Sequence, residues 1–340
     1  MILMFTRVLL AISVLSAGTL TAAAQSPVEF FKDKTILLQV GFGPGGENDA
    51  WARVISQHYG SHIPGHPAVV VQHVPGSGGL LVANRLYNTA PKDGTAIGMI
   101  NRAIPFEPLL AGKGTQFDAL KFIYIGSSGI DTTVCAARKD SQVKTMQDLY
   151  TKELAVGGTG SGADTAVYPQ FLSALLGMRF KLVQGYKGSG EIQLAMERNE
   201  VEGICVAYDS VMRGNLARKG ELNILLQAGL AVDPRIKDVP QALQAARSPE
   251  DRQALELFFA RVDMGRPFVL PPGVPADRVV ALRTAFQVML KDPAFLADAD
   301  RLRLRVVATT GERMAALLTN AYKTPPSIVQ RTIKALGRGG

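Results

Sequence analysis

The chain has 340 residues, 47% of them hydrophobic and 19% charged, and its 37 Lys and Arg residues against 29 Asp and Glu residues give a formal net charge of +8. This length is enough for two domains of ordinary size. The cations are scattered without a run of five, so we interpret them as a solvated basic surface with a mild preference for anionic solutes and expect no nucleic-acid partner.

The first 24 residues have the pattern of a secretory signal peptide. Arg7 precedes an apolar stretch from Val8 to Leu15, and Ala22 and Ala24 are the small residues that signal peptidase requires before its cleavage site. The apolar stretch is too short for a transmembrane helix, which needs about 20 residues. We therefore expect cleavage after Ala24, export to the periplasm, and the loss of one cation from the formal charge of +8.

Short apolar runs then alternate with amphipathic helical patterns, which is typical of an α/β fold with mainly parallel sheets. The predicted strands are Thr35 to Gly41, Ala68 to His73, Ala96 to Ile100, Phe122 to Gly126, Thr133 to Ala137, Leu154 to Gly157, Phe180 to Gln184, Gly203 to Ala207 and Asn223 to Ala228. The predicted helices are Asp49 to Tyr59, Gly79 to Thr89, Ala163 to Leu176, Ser189 to Arg198, Ser210 to Arg218 and Ala276 to Leu290. A Pro-rich segment, Pro267 to Pro275, precedes the last of these helices, and a strand-like segment, Leu302 to Ala308, and two further helices follow it.

The two cysteines, Cys135 and Cys205, both lie in predicted strands. In an oxidising compartment they form a disulfide if their strands are neighbours. Equally, each is explained as a small buried apolar residue. The sequence favours neither interpretation, and neither assigns a function.

Three Gly-rich segments, 41–49, 75–79 and 157–164, follow predicted strands and precede predicted helices. Glycine allows positive φ and close approach of a ligand to the backbone. The N–H groups and the dipole at a helix start favour an anion. The first and third segments therefore predict turns that hold a carboxylate through backbone donors, whereas the second is equally explained as an ordinary tight turn.

A nucleotide enzyme is the competing interpretation of the first segment, because Gly41, Gly43 and Gly46 match G-x-G-x-x-G. That fingerprint requires an acid about 20 residues later for the ribose hydroxyls. No Asp or Glu occurs between Ala50 and Lys92, and the chain has no G-x-x-x-x-G-K-[ST] phosphate loop. We therefore expect no cofactor.

The four histidines all fall between residues 58 and 73, and His58 and His62 share a helical face that invites a zinc hypothesis. Pro64 and Gly65 end that helix, and no third ligand lies nearby, so we expect no metal. The chain has no G-x-S-x-G element, and no His follows the glycine-rich segment at 157–164 to serve as a base. We expect no catalytic residues and no enzyme activity.

Seven motifs together resemble the periplasmic receptors of the tripartite tricarboxylate transporters, also called Bug-type receptors. They are FGPGG..D at 42–49, VPGSGG at 74–79, APKDGT at 90–95, GGTGSGAD at 157–164, YKGSGE at 186–191, VEGICVAYD at 201–209 and PPGVP at 271–275. The resemblance extends over Lys34 to Leu318. It implies a two-lobed, type II-like periplasmic binding protein, or flytrap, with a ligand cleft between the lobes. Residues 25–130 and 265–340 form lobe 1, residues 131–264 form lobe 2, and the chain crosses near Ser127 to Thr133 and near Arg261 to Pro267.

The resemblance further implies an extracytoplasmic solute-binding protein that captures a small carboxylate or related metabolite and interacts transiently with membrane permease subunits. We expect a monomer. Family ligands are held by backbone amides and water rather than by a buried Arg. The implied ligand-binding residues are Phe42, Gly43, Gly45, Gly46, Asp49 and Asn101 in lobe 1, and Thr159, Gly160, Ser161, Ala163, Tyr186 and Asp209 in lobe 2.

By the same resemblance, Gly45, Gly46 and Ser161 mark the turns that hold carboxylate oxygens, and Phe42 flanks the apolar part of the ligand. Asp49 is expected to order the first turn rather than to contact the ligand. The chain departs from the family pattern at Glu47-Asn48, where small residues are common, and at Gln72-His73, which replaces the usual Asn-Arg.

Glu47 is expected to repel an anion, and Arg102 could compensate by pairing with a second ligand carboxylate. Two alternatives remain. One is an α/β enzyme acting on a small anionic substrate in the same cleft, and the other is the ligand-sensing subunit of a signalling system.

Overall fold

The computed structural model describes residues 25–45, 47–130, 132–160 and 162–338, which fold around two mixed β-sheets. The predicted signal peptide, residues 1–24, lies outside the described residues. Over the described ranges, no helix combines the length and the apolar character needed to cross a bilayer.

The first lobe is built on a six-stranded sheet with the strand order β11-β4-β10-β3-β1-β2. Its strands are β1 Thr35–Val40, β2 Ala68–His73, β3 Ala96–Met99, β4 Ile123–Ser127, β10 Pro267–Leu270 and β11 Thr309–Thr310. Its helices are α1 Pro27–Phe31, α2 Glu47–His62, α3 Leu80–Asn88, α9 Ala276–Met289, α10 Pro293–Arg301 and α11 Gly311–Ala321. The last helix, α12 Pro326–Ala335, contributes side chains to the cores of both lobes. Trp51, Ile55 and Tyr59 recur every fourth residue along α2, so they form one apolar face that is buried against the sheet.

The second lobe is built on a five-stranded sheet with the strand order β7-β6-β8-β5-β9. Its strands are β5 Thr133–Arg138, β6 Leu154–Gly158, β7 Phe180–Gln184, β8 Gly203–Ala207 and β9 Leu222–Ala228. Its helices are α4 Asp164–Leu176, α5 Ser189–Glu197, α6 Tyr208–Met212, α7 Asn215–Arg218 and α8 Pro249–Met264. The rings of Phe171 in α4 and Phe258 in α8 stack with centroids 4.0 Å apart, which fixes α4 against α8.

Both sheets are mixed, so the prediction of mainly parallel sheets is wrong. β1 is parallel to β2 and β3, and β6 is parallel to β7 and β8. The strands next to the crossings are antiparallel: β10 pairs with β3 and β4, and β5 pairs with β8 and β9. β5 and β10 each enter their sheet from the other lobe, so their direction is not set by a βαβ connection within that sheet.

The chain leaves the first sheet at Ser127, enters the second at Thr133, and returns through α8 to Pro267. Gly265 lies at the return crossing with φ +58°, and a Cβ there would lie 2.1 Å from the Gly129 carbonyl oxygen. Only glycine permits both that conformation and that approach. The helix α12 packs against α8 and α4, with Ile328 in the core of the second lobe. The lobe boundaries at residues 130 and 265 stay a prediction.

Two local predictions differ from the structure, and one strand was not predicted. The segment 302–308, predicted as a strand, is irregular, and only Thr309–Thr310 pairs with β4. The helix predicted over 210–218 is two short helices, α6 and α7, separated at Gly214. The Pro-rich segment contains β10, which begins at Pro267, because a proline is tolerated as the first residue of a strand.

The two cysteines form a disulfide between neighbouring strands. Cys135 in β5 and Cys205 in β8 are directly opposite each other, and their Cα atoms are 4.0 Å apart. The register therefore brings the two side chains together on the same face of the sheet. This decides between the two interpretations that the sequence left open.

Candidate functional site

A cleft lies between the two lobes, at the ends of strands from both sheets, and encloses about 590 Å³ including space continuous with solvent. Ligand sites of α/β folds lie at such strand ends. The first lobe provides Phe42, Glu47, Asn48, Ile100, Asn101 and Arg102, the second provides Asp164 and Ala207, and the return crossing provides Gly265 and Arg266.

The first glycine turn joins β1 to α2, and a hydrogen bond to the side chain of Asp49 stabilises it. The Asp49 carboxylate is buried and accepts a hydrogen bond of 2.8 Å from the Gly45 N–H and one of 2.9 Å from Arg53 Nε. Burial alone would raise the pKa of Asp49, but the Gly45 N–H and Arg53 outweigh it and hold that pKa below its usual value. The Gly45 N–H therefore already has an acceptor within the chain.

His73 connects Asp49 to the cleft wall. Its Nε2 lies 3.0 Å from Asp49 Oδ1, and its Nδ1 lies 2.8 Å from the carbonyl oxygen of Phe42. Because Phe42 lines the cleft, this chain of contacts ties the end of β2 and the first turn of α2 to a residue at the ligand-facing surface.

Glu47, the first residue of α2, forms ion pairs with two arginines across the cleft. Its Oε2 lies 2.6 Å from Nη2 of Arg213 in the second lobe, and its Oε1 contacts Arg266, whose guanidinium lies over the Trp51 ring at 5.3 Å. Burial raises the pKa of Glu47, but Arg266 and Arg213 together hold it below its usual value. Glu47 is therefore an ionised counter-ion within the cleft.

The second glycine turn joins β6 to α4, which begins at Asp164. Nη2 of Arg102, from the first lobe, lies 2.5 Å from Asp164 Oδ2 and donates to Thr133 Oγ1 at 2.8 Å. The Thr159 N–H donates to the Thr165 hydroxyl at 3.0 Å, and the Ala163 N–H donates to the Gly160 carbonyl at 3.0 Å. The first residue of α2 and the first residue of α4 thus each form an ion pair with an arginine of the other lobe.

The predicted ligand residues are distributed unevenly around this cleft. Phe42 and Asn101 line it, and the Asn101 side chain also accepts a hydrogen bond from the Ala103 N–H. Tyr186 packs against a core cluster of the second lobe, and Asp209 pairs with Arg235. Gly46 and Ser161 lie outside the described residues. The others lie in or beneath the two glycine turns without lining the cleft: Gly43, Gly45, Asp49, Thr159, Gly160 and Ala163.

Sequence reasoning missed most of the charged groups in the cleft. Arg213 and Arg266 lie far from Glu47 in sequence, and no local motif marks them. Asp164 stands in the GGTGSGAD motif, and a signal was available there because an acid at a helix start is a common site for an ion pair. Arg102 was singled out for a ligand carboxylate, and in the structure it holds the carboxylate of Asp164.

The histidines that suggested a zinc site lie beside two acids, one within α10 and one directly before it. His58 Nε2 lies 2.8 Å from Asp298 Oδ2, and His62 Nε2 lies 3.1 Å from Asp292 Oδ2. Within the described ranges, no group of three or more His, Cys, Asp or Glu residues is placed to hold a metal ion.

Comparison of the sequence with known proteins identifies relatives over most of its length. A family profile described as "Tripartite tricarboxylate transporter family receptor" matches residues 52–333. A curated protein of Cupriavidus necator, described as a UPF0065 protein in the gbd 5' region, is 24% identical over 323 residues, which are 92% of this chain and 92% of that protein.

Solved structures share the fold. The periplasmic binding protein BugD matches with a TM-score of 0.67 and 20% identity, over 90% of this chain and 98% of that chain. MatC from Rhodopseudomonas palustris, solved with bound malate, matches with a TM-score of 0.63 and 19% identity, over 89% and 99% of the two chains. These matches confirm the predicted α/β fold of a periplasmic binding protein.

Proposed function

The chain belongs to the receptor family of the tripartite tricarboxylate transporters, as its motifs indicated, and from this premise we propose that it captures a small carboxylate in the inter-lobe cleft. The loaded receptor presents this ligand to the permease subunits of a tripartite transporter. Capture takes place in the periplasm, after the signal peptide has been removed.

The proposal rests on one observation: arginines in and around the cleft already form ion pairs with carboxylate side chains of this protein. Arg102 holds Asp164, while Arg213 and Arg266 hold Glu47. Guanidinium groups bind carboxylates strongly because several N–H donors meet two acceptor oxygens in a planar arrangement. A ligand carboxylate that enters the cleft therefore meets donors of the right chemistry, placed by both lobes.

Three backbone N–H groups in the described parts of the two glycine turns are already engaged. The N–H groups of Gly45, Thr159 and Ala163 have acceptors within the chain. The Nε–H of Arg266, by contrast, is buried and has no acceptor among the described residues. Because an unpaired buried donor is unfavourable, a ligand oxygen that reaches it gains a hydrogen bond without displacing another acceptor.

Capture proceeds by exchange of ion pairs. The ligand carboxylate replaces Asp164 or Glu47 on an arginine, and the bridge between the lobes then runs through the ligand. Since a ligand shifts a conformational equilibrium only by binding one state better, the closed form must be the one in which both lobes contact the ligand. No covalent chemistry is required, and the ligand leaves unchanged.

Calorimetry and thermal melting with a panel of small mono- and dicarboxylates test this proposal. We expect one class to bind and to stabilise the folded protein by about 2.7 kcal/mol when present at 100 times its Kd. Arg102→Gln and Arg266→Gln should each weaken binding at least about tenfold, because each removes a charged donor that lines the cleft.

Arg301→Gln is the matched control, because the Arg301 side chain is 76% exposed and lies outside the cleft. It should bind the ligand as the wild type does. If both cleft variants bind like the wild type, the site is wrong. If nuclear magnetic resonance of the recovered ligand shows a new product, the protein is an enzyme rather than a receptor.

A further inference from the structure

Arg261, in the last turn of α8, is a buried arginine that pairs with no carboxylate among the described residues. It is 2% exposed, its Nε–H donates to the Phe258 carbonyl oxygen at 3.0 Å, and its guanidinium lies over the Phe258 ring at 4.1 Å. Its Nη2 is buried and has no acceptor in the described part of the chain. A buried charge without a counter-ion is unfavourable, and such departures are expected mainly at functional sites.

The Phe258 ring connects Arg261 to α4. The Tyr168 ring packs against Phe258 with centroids 4.9 Å apart, so Tyr168 and Arg261 contact the same ring. Tyr168 is fully buried, and its hydroxyl group also has no partner within the described ranges. Asp164, the first residue of α4, lies four residues before Tyr168, and residues at this spacing share one face of a helix. Two unpaired donors therefore lie beside the face of α4 that begins with Asp164.

Two acids near Arg261 are held by other arginines. Arg102 of the first lobe binds Asp164, and Arg338 binds Glu107 with 2.9 Å between Nη1 and Oε2. Burial lowers the pKa of Arg261, and the negative charges of Asp164 and Glu107 are among those that oppose this decrease, as expected for acids close to the guanidinium. Of these two ion pairs, the one between Arg102 and Asp164 lines the cleft. Asp164 is therefore the acid that a ligand can displace.

We propose that Arg261 is a positioning residue that receives the Asp164 carboxylate when a ligand displaces it from Arg102. This inference rests on the proposed function. Before capture, Asp164 is paired with Arg102 across the cleft. Once the ligand carboxylate occupies Arg102, the Asp164 side chain turns and accepts hydrogen bonds from Arg261 Nη2 and the Tyr168 hydroxyl. The displaced carboxylate and the buried guanidinium then neutralise each other.

This transfer lowers the cost of exchanging ion pairs. A ligand that takes Arg102 without it leaves Asp164 with no charged donor, and an unpaired carboxylate in a partly buried site is unfavourable. With the transfer, each carboxylate in the loaded receptor has an arginine. The bridge between the lobes then runs from Arg102 through the ligand, and Asp164 pairs within the wall of the cleft.

A double-mutant cycle measures this transfer. Arg261→Met replaces an unpaired buried cation with a flexible apolar side chain, so the variant should fold. We expect the carboxylate Kd to rise about tenfold in Arg261→Met, because the loaded form loses a hydrogen bond to a charged group. In an Asp164→Asn background the same substitution should leave Kd unchanged, since no displaced carboxylate needs a donor. A merely structural role of Arg261 would change Kd equally in both backgrounds.

Arg252→Met is the matched control, because Arg252 lies on the same helix with a side chain that is 56% exposed. It should bind the ligand as the wild type does. Equal effects of Arg261→Met in the two backgrounds, or no effect in either, overturn the inference.

The crystal structure of Arg102→Gln provides a readout without ligand. Removal of the Arg102 charge should bring the Asp164 carboxylate within hydrogen-bond distance of Arg261 Nη2, and an Asp164 side chain that stays away from Arg261 contradicts the inference. If no carboxylate binds to the wild type, the proposed function fails, and this structure still decides whether Arg261 receives Asp164.

Discussion

In the first lobe the glycine turn before α2 is held by charged side chains, whereas in the second lobe the corresponding turn before α4 is held by a hydroxyl group. Asp49 binds the Gly45 N–H and is flanked by Arg53 and His73. In the second lobe the Thr165 hydroxyl accepts from the Thr159 N–H. The central strands of the second sheet are also joined covalently by the disulfide, for which the first sheet has no counterpart because the chain has only two cysteines.

This difference shows that the two halves of one cleft respond to different conditions. Ionised groups lose their interactions when the pH crosses their folded-state pKa values. A hydroxyl group and a disulfide do not titrate in that range, but the disulfide is lost under reducing conditions. Acid should therefore weaken the first glycine turn, through the Asp49 carboxylate, and a reductant should act on the second lobe.

Loss of the disulfide should cause the largest decrease in the free energy of unfolding. The loss of protection should be confined to the second lobe. The two cysteines are 70 residues apart in sequence, and cross-linking a loop of this length stabilises a protein by about 4 kcal/mol in the chain-entropy description. We expect the Cys135→Ala, Cys205→Ala double variant to lower the free energy of unfolding in urea by about this amount. Hydrogen exchange should locate the loss of protection in β5 and β8.

The double variant also provides the control, because a reductant should destabilise the wild type and leave the variant unchanged. Equal unfolding free energies for the oxidised wild type and the variant would contradict the prediction. Loss of protection around Asp49 as well would remove the distinction between the lobes.

Asp49→Ala tests the charged arrangement of the first lobe and should give the next largest change. It leaves the Gly45 N–H without its acceptor, leaves Arg53 without its counter-ion and removes the contact with His73, so we expect a loss of about 2–3 kcal/mol at neutral pH. The folded-state pKa of Asp49 lies below its usual value, so this stabilisation is present above the unfolded-chain pKa of about 3.9 and is lost as the pH falls through the folded-state pKa. Unfolding free energies measured at several pH values should therefore converge for wild type and variant in acid.

Asp140→Ala is the comparison for an exposed carboxylate. Asp140 pairs with Arg138, but its side chain is 68% exposed, so its removal should change the stability little. If Asp49→Ala and Asp140→Ala behave alike, Asp49 does not hold the first turn.

The elements of both lobes were largely predictable from sequence because each buried strand is a short apolar run bounded by glycine or polar residues. Phe180–Gln184 and Gly203–Ala207 begin and end at the predicted residues. Strand direction was harder to predict from the sequence. The residue pattern of β10 does not show that this strand lies between β3 and β4 and runs antiparallel to both. Direction is decided by where the chain crosses between lobes, which is a property of the whole fold.

The cleft was predictable only in outline. The glycine turns marked its two walls, but the contacts that fill it join residues from distant segments. Glu47 meets Arg213 and Arg266, which lie more than 150 residues later in the chain, with sequence separations of 166 and 219. Such pairs leave no spacing pattern in a single sequence. The glycine pattern likewise does not show that Asp49 accepts from the Gly45 N–H and Thr165 from the Thr159 N–H.

Glu47→Gln tests whether the cleft acids compete with the ligand, and its effect should be smaller. Without the Glu47 charge, Arg213 and Arg266 lose their counter-ion, and a ligand carboxylate no longer has to displace one. We expect the affinity for the ligand carboxylate to rise about tenfold, equivalent to about 1.4 kcal/mol, in calorimetric titrations. Glu256→Gln, which removes an exposed acid paired with Arg252, is the control. A fall in affinity in Glu47→Gln would show that Glu47 orients the arginines for the ligand rather than competing with it.

Thr165→Val should give the smallest change and the sharpest contrast with Asp49. Valine keeps the shape of the buried Thr165 side chain but removes the hydroxyl that accepts from the Thr159 N–H, so we expect a loss of about 1 kcal/mol in unfolding free energy. Thr319→Val is the control, because the exposed Thr319 hydroxyl bonds only to the Ala315 carbonyl of its own helix. The contrast lies in the pH dependence: the hydroxyl carries no charge, so the loss in Thr165→Val should be the same in acid as at neutral pH. A loss that shrinks in acid, as expected for Asp49→Ala, would mean that the second turn is held by the Asp164 charge and that the two lobes are stabilised in the same way.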